Sequence, residues 1–378
     1  MAALVAIDLP GGPAFVTALR KIWDQGDAAL PIDQRMAVAA QEDTIRSLQA
    51  CAVVGPGGER RNLEGGSPVE PGDALVMATS GTTGRPKGVV ITHTALEASA
   101  MATSRRLGVD PDRHRWLACL PLNHIGGLSV VTRSLFTGTP FEVLPGFEAT
   151  AVRERSGPDC FVSLVTTALA RTPADLFHTV VLGGSAYPSE RPANVVGTYG
   201  MTETASGVVY DGIPLEGVEV RVDVETSEIS LRAPMLLRCY RDGTVPFGPD
   251  GWFQTGDAGE IDLDGRLSVA GRIGDMIVSG GEKIWPAPIE EILAEHPDVA
   301  DVAVAGRPDP EWGQRVVAWV VPARGRPLPD LAELRDLVGS RLARWAAPKQ
   351  VVAVDSIPRT AIGKIRRDRL DRVEPEGR

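Results

Sequence analysis

Apolar and polar positions follow two regimes along the chain. Short apolar runs at residues 74–78, 116–120, 160–165 and 179–182 have the length of buried strands. Residues 92–106 contain no Gly or Pro and are rich in alanine, and residues 126–136 are apolar with sparse polar interruptions; both read as helices. Strands alternating with helices predict a layered α/β domain. From residue 217 to 264 the pattern changes to short strands separated by Asp-Gly and Pro-Asp-Gly turns, which predicts a β-rich subdomain over about 213–270.

A boundary is expected at residues 271–274. Beyond it, residues 288–296 read as a helix with proline near its first turn and Glu290 and Glu291 near the positive end of its dipole. Strand-like runs follow at 299–305 and 315–321. A second helix is expected over 331–345, with Leu331, Leu334, Val338, Leu342 and Trp345 on one face, ending before Pro348. The expected fold is therefore α/β: a large N-terminal domain, residues 1–271, followed by a small mobile α+β domain, residues 272–378, with the hinge at about 272–275.

With 378 residues, 43% apolar and 23% charged, the chain has the composition of a globular enzyme. A formal net charge of −10 without a long basic block argues against nucleic acid or an anionic membrane as the main partner. No apolar run reaches transmembrane length, so no membrane insertion is expected, and no signal-like N-terminus is visible. Cys51, Cys119, Cys160 and Cys239 lie far apart without a C-x-x-C spacing, which suggests neither zinc nor a disulfide framework and fits a cytoplasmic protein. The sequence is compatible with a homo-oligomer but does not specify one.

The strongest local signal is TSGTTGRPKG, from Thr79 to Gly88. Gly81 and Gly84 allow backbone N–H groups to approach anionic oxygens, Ser80, Thr82 and Thr83 add hydroxyl donors, and Lys87 adds a positive charge. It is not a Walker A loop, because Lys87 lies between Pro86 and Gly88 rather than before a Ser or Thr. Further segments accompany it. GTYGMTET, 197–204, offers Tyr199 as a flat face for a purine and Glu203 as a hard oxygen ligand for magnesium. Upstream, LGGSAYP contains Gly183, Gly184 and Ser185. Thr255-Gly256-Asp257 and Gly271-Arg272 supply a carboxylate and a guanidinium that can hydrogen-bond ribose hydroxyls. SGGEKIWP begins at Ser279, Gly280 and Gly281, and PRTAIGKIRR carries Lys364.

In this order and spacing the segments resemble the motifs of the adenylate-forming superfamily, which includes acyl-CoA and aryl-CoA ligases, and cover residues from about 73 to 367. The resemblance implies that the 79–87 loop holds the β- and γ-phosphates of ATP. It further implies that Gly183, Gly184, Ser185, Tyr199, Gly200 and Met201 flank the adenine, that Thr202 contacts phosphate, and that Glu203 binds Mg2+. Asp257 and Arg272 would hold the ribose, and Ser279, Gly280 and Gly281 would line the tunnel for coenzyme A. Lys364 would bridge the reacting carboxylate and the α-phosphate. After adenylation, rotation at 272–275 would exchange Lys364 for the glycine loop. Relatives usually have Asp or Lys two residues after the arginine, where this chain has Gly274; glycine still permits a large rotation.

The run TYGMTETASGVVYDGIPLEGVEV is similar to the short o-succinylbenzoate-CoA ligases of menaquinone synthesis, as is the modest length of chain ahead of the phosphate loop. This implies an aromatic dicarboxylate as substrate, with ATP and CoA. LPLNHIGGLSVVTRSL resembles the wall of the acyl pocket. His124 would lie beside the reacting carboxylate, with Gly200 also lining the pocket, and Arg133 where those ligases have a basic residue. Arg133 either meets the second carboxylate or is a surface arginine of an amphipathic helix. Asn123 replaces an aromatic residue common in relatives. The competing expectations are another aryl- or acyl-CoA ligase, an adenylation enzyme that loads a carrier protein, and a nucleotide-binding regulatory protein.

Overall fold

The computed structural model describes residues 1–80, 86–184, 191–359 and 365–372. These divide into two compact units: the described residues within 1–220, 230–254 and 263–267 form the first, and those within 221–229, 255–262 and 268–378 the second.

The first unit contains two seven-stranded sheets. One runs in the order Cys239–Tyr240, Pro86–Thr92, Asp73–Ser80, Ala28–Pro31, Leu4–Ile7, Ala52–Val54, Arg60–Asn62, and its central strands are parallel. The four residues of Leu4–Ile7 are all buried, as expected of a parallel strand covered on both faces. The other sheet runs Ile213–Pro214, Ser206–Tyr210, Val195–Met201, Phe177–Leu182, Gly157–Leu164, Arg115–Ala118, Phe141–Val143. Its five strands from Val195–Met201 to Phe141–Val143 are parallel.

Helices His93–Leu107 and Ile125–Thr137 pack on each other. Thr92 caps the first by accepting from the Ala95 N–H at 3.2 Å, and Gly108 ends it in the left-handed conformation at φ 64°. The second ends likewise at Gly138. The two ends of the phosphate-loop sequence are strand. Asp73–Ser80 and Pro86–Thr92 are antiparallel strands in which Thr79 faces Lys87, and the Thr79 hydroxyl donates to the Lys87 carbonyl at 3.1 Å.

The second unit has a five-stranded sheet: Glu282–Ile284, Ile277–Ser279, Gly313–Pro322 and Val299–Asp309, with Gln350–Ala353 added in parallel to Gly313–Pro322. Helices Pro286–Ala294 and Leu331–Gly339 contribute Ile289, Ile292, Leu293, Leu334 and Val338 to a core against Val302, Val304, Val316 and Val320.

Both helices differ from their sequence expectation. The first begins two residues early, because Pro286 as well as Pro288 is compatible with the first turn. Glu290 and Glu291 consequently lie beyond that turn, and Glu290 pairs with Arg367 and accepts from the Val304 N–H at 2.7 Å. The second ends at Gly339, and Arg344–Ala346 forms a separate 3-10 turn. Leu342 still packs on the core, which extends the apolar period past the helix, but Trp345 is 45% exposed.

Candidate active site

Four connecting segments of the second seven-stranded sheet leave the carboxyl ends of neighbouring parallel strands. Residues 119–124 follow Arg115–Ala118, Val165 follows Gly157–Leu164, Gly183 and Gly184 follow Phe177–Leu182, and Thr202 and Glu203 follow Val195–Met201. Open α/β sheets bind ligands outside such ends. One rim therefore gathers His124, Gly183, Gly184, Tyr199, Gly200, Met201, Thr202 and Glu203, from segments 80 residues apart in sequence.

The turn that presents Glu203 is tightly built. Thr204 Oγ1 accepts from the Met201 N–H at 2.8 Å and lies 2.6 Å from the Ser206 carbonyl, and buried Ala205 adopts φ 58°, a left-handed geometry costly for a residue with a Cβ. A Cβ on Gly200 would collide with the Ser206 carbonyl, so the paired strands come together at the motif only with glycine there.

Glu203 and Lys87 are joined by a residue the motifs did not indicate. Tyr240 donates its hydroxyl to Glu203 Oε1 at 3.2 Å, and the Lys87 ammonium lies 3.1 Å from the centroid of the same ring. The ring holds the lysine by cation–π attraction without neutralising it as a carboxylate would. An ionised carboxylate has several acceptor positions, of which Tyr240 uses one, so Glu203 suits a hard cation that keeps water and phosphate ligands. Glu203 together with substrate phosphates is thus a chemically adequate magnesium donor set; among the described residues no cluster of three metal-ligating side chains exists.

His124 occupies the N-cap position of helix Ile125–Thr137 without a side-chain cap, and its Nε2 lies 2.9 Å from Arg35 Nη2 and 3.3 Å from Asn123 Nδ2. Arg133, nine residues on, is not at the surface: it is 2% exposed. Its Nη2 donates to Ser206 Oγ at 3.1 Å, its guanidinium lies 4.6 Å from the Trp116 ring centroid, and Nε and Nη1 have no hydrogen-bond partner among the described residues. Burial pushes its pKa down, partly opposed by Tyr210. A buried guanidinium with two unmatched nitrogens, carrying three N–H donors, is costly, and an anionic ligand would remove that cost.

In the second unit, Asp257 is buried on strand Phe253–Ile261, and Arg272 ends the neighbouring strand Leu267–Arg272. Arg272 Nε is 2.8 Å from Asp257 Oδ1, and its Nη1 donates to the Thr255 carbonyl at 3.0 Å. Gly280 and Gly281 form the two-residue turn of a hairpin, with φ 62° and 86°, the sign combination of a type I′ turn. Buried Ser279 precedes them, and a Cβ on Gly280 would lie 2.8 Å from the Trp312 ring. Gly81, Thr82, Thr83, Gly84, Ser185 and Lys364 lie outside the described residues. Cys119, Cys160 and Cys239 are buried, and burial pushes the Cys119 thiol up to about 12 and Cys160 to about 11, which leaves both unreactive near neutrality.

Residues 2–232 match the family model described as AMP-binding enzyme, and residues 288–364 match the AMP-binding enzyme C-terminal domain. The chain belongs to the AMP-binding enzyme family. Along its length it is similar to other AMP-binding enzymes. It is 36% identical to the probable 2-succinylbenzoate--CoA ligase of Mycobacterium tuberculosis (strain CDC 1551 / Oshkosh), over 97% of both chains. It is 37% identical to the 2-succinylbenzoate--CoA ligase of Listeria monocytogenes serotype 4b, over 79% of this chain and 69% of that one. The solved o-succinylbenzoate CoA synthetase of Bacillus subtilis, in complex with its acyl-adenylate intermediate, superposes with a TM-score of 0.84 at 27% identity, covering 97% of this chain and 88% of that one. The fold is that of the adenylate-forming enzymes.

Proposed function

We propose that this AMP-binding enzyme is an acid–thiol ligase that adenylates 2-succinylbenzoate with Mg-ATP and transfers the acyl group to coenzyme A. The observation that carries this reading is the similarity to the mycobacterial ligase over 97% of both chains. Arg133 supports a second carboxylate on the substrate, because its buried charge has no carboxylate partner among the described residues and the N–H groups of its Nε and Nη1 are unmatched.

In the first step a carboxylate oxygen of the succinyl arm attacks the α-phosphorus, a C–O–P linkage forms, and the bond from the α-phosphorus to the bridging oxygen breaks as pyrophosphate leaves. Both reactants are anions, so catalysis is mainly positioning and charge compensation. Lys87 supplies one positive charge toward the phosphates, and Glu203 would hold the magnesium ion, which lowers the charge repulsion between nucleophile and ATP. Lys364 is assigned to the α-phosphate, Asp257 and Arg272 to the ribose, and Tyr199 to the adenine. In the second step the CoA sulfur attacks the acyl carbon, the acyl–oxygen bond breaks, and AMP departs; the Gly280–Gly281 turn is assigned to the pantetheine arm.

The test is CoA-dependent AMP release over a panel of carboxylic acids. Selective turnover of 2-succinylbenzoate is expected; selective turnover of a different aryl acid would replace the substrate, and acid-dependent exchange without any CoA thioester would favour loading of a carrier protein.

A further inference from the structure

Arg35 and Asp33 lie in none of the nucleotide motifs, yet they reach the acyl side of the site. Arg35 Nε donates to Asp33 Oδ1 at 2.8 Å and Nη2 donates to Oδ2 at 2.8 Å, a bidentate fork. Burial pushes the Asp33 carboxyl up, but the hydrogen bonds and charge of Arg35 outweigh it and leave the group below its ordinary value. The Arg35 backbone N–H also donates to Asp33 Oδ1 at 3.0 Å, and Gln34 Nε2 donates to Asp8 Oδ1 at 2.8 Å just past strand Leu4–Ile7. The loop is thereby tied to the first seven-stranded sheet. The second hydrogen of Arg35 Nη2 points away from the fork, and Nη2 is 2.9 Å from His124 Nε2, on the rim of the other sheet.

A guanidinium has five N–H donors and no acceptor. His124 Nε2 must therefore be the acceptor in this contact and carry no hydrogen. Asn123 then also meets it as a donor through Nδ2, at the longer distance of 3.3 Å. The imidazole proton is left on Nδ1, and the ring is neutral.

We propose that Arg35, held by Asp33, is a positioning residue that fixes the tautomer and orientation of His124, so that the ring offers Nδ1–H as its single donor to the carboxylate being activated. What His124 does to the acid rests on the function proposed above. How the ring is held does not.

The experiment is ¹⁵N-histidine NMR of the full unliganded chain, in which five histidines must be distinguished and His124→Ala assigns the relevant signal. The wild type is expected to show His124 as the Nδ1–H tautomer. Arg35→Ala should shift it toward the Nε2–H form, and Arg35→Lys, which restores a cationic donor, should recover it in part. In adenylation assays Arg35→Ala should lower kcat/KM roughly 10- to 100-fold, the scale for a misplaced reacting geometry. In the His124→Ala background the same change should alter the rate less than about twofold, because contacting residues are non-additive. An Nε2–H tautomer in the wild type, no tautomer change in Arg35→Ala, or full additivity with His124→Ala would each overturn the proposal. Because the NMR arm uses no substrate, a failed acid panel with the expected tautomer would remove the substrate reading alone.

Discussion

Tyr240 links the two charges that the sequence motifs supply separately: its hydroxyl donates to Glu203 at 3.2 Å while its ring carries the Lys87 ammonium. The arrangement follows from strand pairing, in which Cys239–Tyr240 adds to Pro86–Thr92 with Tyr240 opposite Val89, two residues from Lys87. Tyr240→Phe keeps the ring and removes the hydrogen bond to a carboxylate, a contact typically worth about 1.5–3 kcal/mol. The KM for MgATP in ATP–pyrophosphate exchange should rise by about tenfold, with little change in the KM for the acid. Tyr240→Leu also releases Lys87 and should cost more. Equal losses in the two variants would mean that the ring contributes nothing.

Arg133 should show opposite effects on stability and activity. Replacing an unpaired buried cation by an apolar side chain of similar length removes a desolvation cost, and such exchanges of buried charges are often neutral or stabilising by about 1–4 kcal/mol. Arg133→Met should therefore melt at the wild-type temperature or above it. Its kcat/KM for 2-succinylbenzoate should fall by about 10²-fold or more, as expected when a charge-assisted contact is lost, while the KM for ATP stays near wild type. A lowered melting temperature with unchanged acid specificity would make Arg133 a packing residue.

The sequence made the fold and the nucleotide motifs legible because both are local. Strand Phe177–Leu182 and helix His93–Leu107 are written in apolar runs, a threonine cap and a glycine stop. The Tyr240–Glu203 and Arg35–His124 contacts span 37 and 89 residues, and no periodicity encodes them. Arg133 is ambiguous in the sequence for a related reason. Its apolar neighbours on helix Ile125–Thr137 fit either an exposed or a buried arginine, and only the packing of Trp116 and Ser206 around it decides. The apolar period overstates helix Leu331–Gly339, because Leu342 keeps the helical spacing although the helix has ended.

The role proposed for Lys364 would separate the two half-reactions. In that role its charge would act on the α-phosphate and the attacking carboxylate, and removing such an electrostatic contact typically costs about 10²–10³ in rate. Lys364→Ala should lose acid-dependent ATP–pyrophosphate exchange to that extent but still convert supplied acyl-adenylate and CoA to thioester. Equal loss of both half-reactions would refute the assignment.

Arg367, three residues beyond Lys364, tests the anchoring of that segment within the second unit. Its Nη2 meets both oxygens of Glu290 at 2.6 and 2.8 Å, its Nη1 lies 3.3 Å from Asp275, and its Nε donates to the Val304 carbonyl at 3.0 Å. Burial pushes the Glu290 carboxyl up, against the opposing charge of Arg367. Arg367→Met leaves a buried carboxylate without its counter-charge, a change that typically costs about 3–5 kcal/mol. The cost should depend on pH. With Glu290 raised further, the folded state binds more protons than the unfolded chain above the ordinary carboxylate pKa, so stability falls as pH rises through that window. In urea unfolding of the full chain, the deficit of Arg367→Met relative to wild type should be smaller at pH 5 than at pH 8, and Glu290→Gln in the same background should flatten the difference. A deficit independent of pH would show that Arg367 acts through its packing and its backbone contact rather than through the charge on Glu290.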